Sequence, residues 1–176
     1  MTTTTGYATN LGQPLELGWL AFATRATFIR AAIVAVIIGS VLTQINQFAW
    51  VAGIEPLQFL PLFLVLLTPF AVVTIAQVAG ARQATIDSVA HGAPASPEGI
   101  MTTAVSHGIP GRALAVGLFF GSLNAIIVLT DALLRSVDVA AVPVVPLGQA
   151  YVLPLLFGLL SQAISYRRAR YQVVSA

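Results

Sequence analysis

The chain has 176 residues, 57% of them hydrophobic and 8% charged, with a mean hydropathy of +0.90 and a net charge of +2. Soluble domains carry about 25% charged residues, so this composition excludes an ordinary water-facing surface. All eight basic residues are arginines and cysteine is absent, which excludes disulfides, Cys-ligated zinc and thiol chemistry. The arginines form no basic run with interleaved aromatics, so no nucleic-acid surface is expected.

The opening "MTTTTGYATN" has no basic stretch leading into an apolar core and does not read as a cleaved signal peptide. Residues 1–24 read as a polar segment. Residues 14–30, "PLELGWLAFATRATFIR", hold Trp19, Phe22 and Phe28 beside Arg25 and Arg30. They fit an interfacial helix at a membrane surface or an ordered lead-in to a span. Four spans follow, at 28–50, 57–80, 111–134 and 147–166. Each holds about 20 mostly apolar residues, enough to cross roughly 30 Å of hydrocarbon. The first linker is short and forces an antiparallel hairpin. The second contains the turn-rich "HGAPASPEG", and the third has two prolines and is expected to be extended.

With four spans, Arg25, Arg30, Arg82, Arg112, Arg167, Arg168 and Arg170 fall on one side and Arg135 alone on the other. That asymmetry places both termini and the middle loop, 83–107, in the cytoplasm. Trp50 and Tyr151 then belong near the outer interface, and Tyr166 and Tyr171 near the inner one.

The spans also repeat. An offset of 82 carries Arg30 to Arg112, Gly39 to Gly121 and Ser40 to Ser122. An offset of 85 carries Pro69 to Pro154, Gln77 to Gln162 and Arg82 to Arg167. Apolar bias alone would match Leu, Val, Ile and Ala instead. The expected fold is therefore all-α and membrane-integral: four transmembrane helices as two tandem two-helix repeats, 25–82 and 108–170, with a C-terminal tail at 171–176. A unit with an even number of spans keeps its orientation on duplication, so the repeats are parallel. Arg30, Arg82, Arg112 and Arg167 could then ring a cytoplasmic vestibule with positive charge.

The arginine-led span with Gly39 and Ser40, then "INQ" (Ile45, Asn46, Gln47), then Thr68, Pro69 and Phe70, resembles the small NrtS-type nitrate/nitrite transporters of bacteria. Members of that family usually carry one such hairpin, so this chain corresponds to a fused, double version. The family's "INQ" is typically followed by Gly and an acidic residue, which "INQFAW" lacks. The second half keeps "TDALL", with Asp131 where the first half has Ala49, and reads "IVL" at Ile127–Leu129 in place of "INQ". The resemblance implies transport of nitrate and nitrite across the bacterial inner membrane, by a multi-pass protein with both termini cytoplasmic.

Several polar residues then become candidates for the substrate path. Asn46 and Gln47 lie about 24 Å along a helix from Arg30, toward the outer side. Their amides fit either an anion path or interspan hydrogen bonds, which are worth about 0.6 kcal/mol each in membranes. Gln77 and Gln162 stand five residues before Arg82 and Arg167, as anion donors or as interhelical glue. Asp131 reads as the one carboxylate near an apolar span, paired at the surface with Arg135 or buried and proton-linked. Pro69 and Pro154 free a backbone carbonyl each, for a hinge or a static kink. Gly39 and Gly121 let helices approach closely.

His91 and His107 have no partner pattern for a metal, and no nucleophile triad, Walker loop or dinucleotide fingerprint is present. No enzymatic activity, cofactor or metal is expected. The expected partners are nitrate and nitrite, the lipid bilayer and further copies of the chain in a homo-oligomer. The alternative function is a membrane anchor or assembly scaffold without transport activity.

Overall fold

A computed structural model describes residues 18–46, 53–54, 59–92, 99–134 and 144–172, and all regular structure among them is helical. A 3-10 turn, Trp19–Phe22, leads into α1 (Arg25–Asn46). Then come α2 (Phe59–His91), the short α3 (Ile100–Ser106), α4 (Ile109–Leu134) and α5 (Val144–Gln172). Four segments are long and apolar enough to cross a membrane: Arg25–Gln44, Phe59–His91, Ile109–Ile127 and Gly148–Tyr171. The fold is thus all-helical and compatible with a multi-pass membrane protein.

The packing is inside-out relative to a water-soluble bundle. The buried positions are mostly small: Ala31, Ala35, Ala76, Ala84, Ala113, Ala125 and Ala163, with Gly39, Gly80, Gly117, Gly121 and Gly158. Large apolar side chains such as Ile33, Val36, Ile37, Phe63, Leu118, Phe119 and Leu156 are exposed. In lipid, burying a leucine against a neighbour gains nothing over leaving it in acyl chains. Helices there associate through close backbone approach at small residues.

By their main contacts the four long helices form a row in the order α1, α2, α5, α4, and α2 also meets α4 directly, where Thr68 Oγ1 donates to Asn124 Oδ1 at 3.1 Å. α1 pairs with α2, α2 with α5, and α5 with α4. The outer pairs are antiparallel hairpins, and the central pair, α2 and α5, runs parallel: Val72 meets Gly158, Gly80 meets Gln162, and Gly92 meets Arg170. In the first hairpin a Cβ on Gly39 would come within 2.5 Å of Leu66 Cδ2; in the second, a Cβ on Gly121 would overlap the Tyr151 ring. The offsets of 82 and 85 carry the first contact onto the second. Gly39 also sits against the carbonyl of Val65. That oxygen lies four residues before Pro69, which has no N–H to pair with it.

Three boundaries differ from the sequence reading. Of the stretch 14–30, expected as an interfacial helix or a lead-in, residues 14–17 lie outside the described residues and the rest forms a 3-10 turn followed by the start of α1, where Thr24 Oγ1 accepts the Thr27 N–H at 3.2 Å. That is an N-cap bond to a first-turn amide. The second span does not stop at 80 but continues to His91. Three polar residues of the extension bond within the helix: Thr85 Oγ1 donates to Ala81 O at 3.1 Å, Ser88 Oγ to Ala84 O at 2.7 Å, and Gln83 Nε2 to Asp87 Oδ1 at 2.7 Å. Gly92, at φ 71°, ends it, as glycine ends many helices. The expected loop 83–107 therefore contains the last turns of α2 and all of α3. The stretch from Val144 onward, expected as extended linker, forms the first turns of α5, where Pro146 needs no intrahelical donor.

A Cβ at Gly80 would overlap the backbone oxygen of Gln162, whereas one at Gly111 meets nothing within 4 Å. Gly80→Ala should destabilise the fold by about 1–3 kcal/mol through overpacking. Gly111→Ala should be neutral or slightly stabilising. Thermal unfolding of the detergent-solubilised protein checks both; equal melting temperatures for the two variants would refute the close approach at Gly80.

Candidate functional site

The seam between α2 and α5 gathers many of the polar groups of the helices. Ala76, Gly80 and Ala84 lie one turn apart on α2 and are all buried. This small-residue stripe lets the two backbones touch. Gly80 rests on the Gln162 carbonyl, and Ser165 Oγ donates to the Gln77 carbonyl at 2.7 Å. The offset of 85 carries Gln77 to Gln162 and Gly80 to Ser165, so the two contacts are images of one another.

The side chains at this crossing are not equally satisfied. Gln162 is 2% exposed, and its Nε2 has no hydrogen-bond partner among the described residues. A buried, unpaired donor of this kind costs about 1–3 kcal/mol. Gln77, its counterpart on α2, is half-buried. One turn beyond Gln162, the seam closes in a polar network. Tyr166 donates its hydroxyl to Asp87 Oδ2 at 2.7 Å, and its oxygen lies 2.9 Å from His107 Nδ1. His107 Nδ1 is itself 3.2 Å from Asp87 Oδ2. Arg170 donates to the Tyr166 oxygen at 3.2 Å and to the Gly92 carbonyl at 3.1 Å. Arg112 donates to Gln83 Oε1 at 3.0 Å and to the His107 carbonyl at 2.6 Å. Asp87 thus collects donors on both oxygens, and the network ties α2, α4, α5 and the α3–α4 junction together. Its geometry is that of a clamp. Among the described residues no three of His, Cys, Asp and Glu gather as metal ligands.

The residues expected in the substrate path are dispersed. Arg30 is exposed on α1. The Arg82 guanidinium lies 5.8 Å from the centroid of the Trp19 ring, within cation–π range. Arg112 belongs to the clamp. Arg167 lines an open cleft of about 410 Å³ with Ile100, Ile164, Arg168 and Tyr171. The four arginines expected to ring one vestibule therefore meet four different surroundings. Gln162 and Arg167, five residues apart, stand about 140° apart around α5 and do not share a face. Asn46 and Asp131 lie on the final turns of α1 and α4 with side chains outside the described set, and Gln47 lies outside the described residues.

The sequence reading does not single out Asp87, takes His107 only as lacking a metal pattern, Tyr166 as an interfacial aromatic and Arg170 as a topology arginine, and Asp131 is not the one carboxylate near a span. Asp87 lies on α2 with its side chain 15% exposed. The available signal was helical spacing past the apolar run: Gln83 with Asp87, and Tyr166 with Arg170, each at i and i+4, with no breaker before Gly92.

Removing the Tyr166 hydroxyl leaves Asp87 and Arg170 each short of a buried partner. Tyr166→Phe should lower stability by about 1–3 kcal/mol. Tyr151→Phe, whose hydroxyl is 3.5 Å from Ser122 Oγ on an exposed face, should change it by under about 0.5 kcal/mol. The melting temperatures of the two variants, measured side by side, test the clamp. Comparison with protein-family models, curated proteins and solved structures finds no match to this chain.

Proposed function

We propose that the chain is a four-span protein of the bacterial inner membrane, built from two tandem parallel repeats, and that it passes small monovalent oxyanions, nitrate and nitrite, along the α2–α5 seam. The observation that carries this reading is the buried Gln162 amide. It is a hydrogen-bond donor with no acceptor among the described residues, on the seam between the two halves, and an oxyanion is pure acceptor. Gln77 offers a second amide from the other half. The reciprocal contacts at Gly80 and Ser165, and the equivalent contacts at Gly39 and Gly121, support the duplication. The arginine asymmetry supports cytoplasmic termini. Among the described residues the outer faces of α1 and α4 expose large apolar side chains such as Ile33, Ile37 and Phe119, which supports assembly into a homo-oligomer. The identity of the anion rests on the resemblance of the Arg30–Gly39–Ser40–"INQ"–Thr68–Pro69–Phe70 pattern to NrtS-type transporters.

On this reading a planar anion takes its hydrogen bonds from neutral amides, which hold it without trapping it. Entry into a negative cytoplasm costs about 2.3 kcal/mol per 100 mV. Among the described residues no buried acidic relay lies on the seam above the clamp, so on this reading uptake runs on consumption of the anion inside. Passage requires α2 and α5 to part at Gly80.

One observation favours a second reading, a membrane anchor or assembly scaffold. Gly80 lies directly on the Gln162 backbone and the clamp closes one end of the seam. A seam held this tightly suits a fixed frame.

The deciding measurement is nitrate and nitrite accumulation in a bacterial strain stripped of its own transporters. Uptake should depend on the chain and fall about tenfold in Gln162→Leu, the loss of one hydrogen bond to a charged partner. Gln77→Leu should reduce it as well. Uptake untouched by either variant would remove the seam from the path. No uptake, with the protein shown to be inserted, would establish the scaffold reading.

A further inference from the structure

The outward face of α5 combines two features that no part of the transport reading uses. Val152, Leu156 and Leu160, spaced one turn apart, are all large, apolar and exposed. The same i, i+4 row, winding about 120° around α5 between Val152 and Ile164, continues to Arg167, Arg168 and Tyr171, which line the open cleft of about 410 Å³ beside Ile100 of α3. From Val152 to Ile164 is twelve residues, about 18 Å of helix, close to the roughly 15 Å depth of one leaflet's hydrocarbon. The cleft wall is apolar, yet Arg167 and Arg168 both line it, and among the described residues no carboxylate pairs with either. Neither Arg167 nor Arg168 makes a side-chain hydrogen bond or an ion pair among the described residues, and Arg167 Nε is buried without a partner. Beside the cleft, α3 exposes Met101 and Val105, at 75% and 74%. A short helix with a bare apolar face belongs at the headgroup boundary, which sets the depth of the arginines.

We infer that this cleft binds an anionic phospholipid of the cytoplasmic leaflet: the phosphate sits between Arg167 and Arg168, the glycerol backbone lies against Tyr171 and Ile100, and an acyl chain runs along Ile164, Leu160, Leu156 and Val152. The charge, the apolar wall and the length of the stripe each match one part of such a lipid. Guanidinium groups suit phosphate because their donors are fixed in a planar fork. The site rests on the membrane-spanning part of the reading above, not on anion transport, and it takes Arg167 out of the substrate path.

The test uses the full-length protein in detergent, titrated with phosphatidylglycerol, phosphatidylcholine or inorganic phosphate while its melting temperature is followed. Phosphatidylglycerol should raise it by ~5 °C near saturation; phosphatidylcholine and free phosphate should raise it far less. Arg167→Ala with Arg168→Ala should remove the difference between the two lipids, and Arg168→Gln alone, at an exposed position, should halve it or more. Arg25→Gln, at the far end of the row, should retain it. Equal responses to the two lipids, or a response that survives the double variant, would overturn the site. Because the chain has no cysteine, Leu160→Cys gives a single probe; rapid disulfide dimer formation in membranes would show that a second copy covers the stripe instead, and would also overturn it. Carbonate extraction of membranes distinguishes the failures: a protein released by carbonate refutes the membrane reading, whereas a retained protein without lipid preference refutes the lipid site alone.

Discussion

Everything in this molecule follows from how closely α2 can approach α5. The distance is set by Gly80, whose missing side chain leaves room for the backbone oxygen of Gln162. With the backbones touching, Ser165 reaches the Gln77 carbonyl, Tyr166 comes under Asp87, and Arg170 spans to Gly92. Move the helices apart by the width of a methyl group and each of these bonds lengthens past usefulness, because hydrogen bonds tolerate only a few tenths of an ångström. The hairpins on either side are held in a similar way, by Gly39 on Leu66 and Gly121 on Tyr151. The fold is a set of glycine contacts with polar bonds added where the glycines permit.

The same constraint explains why the large apolar side chains face out. A helix whose neighbour sits on its backbone needs Ala, Gly or Ser at the points of closest approach, with a larger residue such as Val72 facing a glycine, Gly158, so most leucines, isoleucines and phenylalanines are left to the outside. In water that surface would drive aggregation. In a bilayer it is the solvent-matched side, and the cohesion of the bundle comes from van der Waals contact and a few interhelical hydrogen bonds. The parting of α2 from α5 that an ion path requires would thus be opposed by contact energy and the clamp, not by hydrophobic burial.

Much of this was legible in the residues. Four apolar runs of spanning length, the glycine positions and the repeated Gln and Arg are visible as letters, because hydrophobic length and small-residue spacing are local properties. The stripe Ala76, Gly80 and Ala84 was equally visible, and it marks the seam. What the letters did not give was the continuation of α2 past 80. Polar residues after an apolar run read as the start of a loop, yet Thr85, Ser88 and Gln83 spend their hydrogen-bonding groups inside the helix. That extension lifts Asp87 to the level of Tyr166. The clamp joins residues far apart in sequence from three helices and one junction, and no spacing rule connects Asp87 to His107 or Tyr166. Likewise, the identical positions of Arg82 and Arg167 in the letters concealed different surroundings, an indole face for one and an apolar cleft for the other.

The clamp has a consequence for symmetry. The offset of 85 carries Asp87 to Gln172, and carries Tyr166 back to Ala81. A pair of identical hairpins meeting on a two-fold axis would present the same side chain twice, so an acidic residue on one strand of the seam would face its own twin's neighbours on the other, and any bond made once would have to be made again. On the two-repeat reading, joining the hairpins in one polypeptide releases each half from that obligation. One half can supply the carboxylate and the other the phenol and guanidinium, and the seam acquires a latched end and an unlatched one. Fusion thereby gives a symmetric frame a direction.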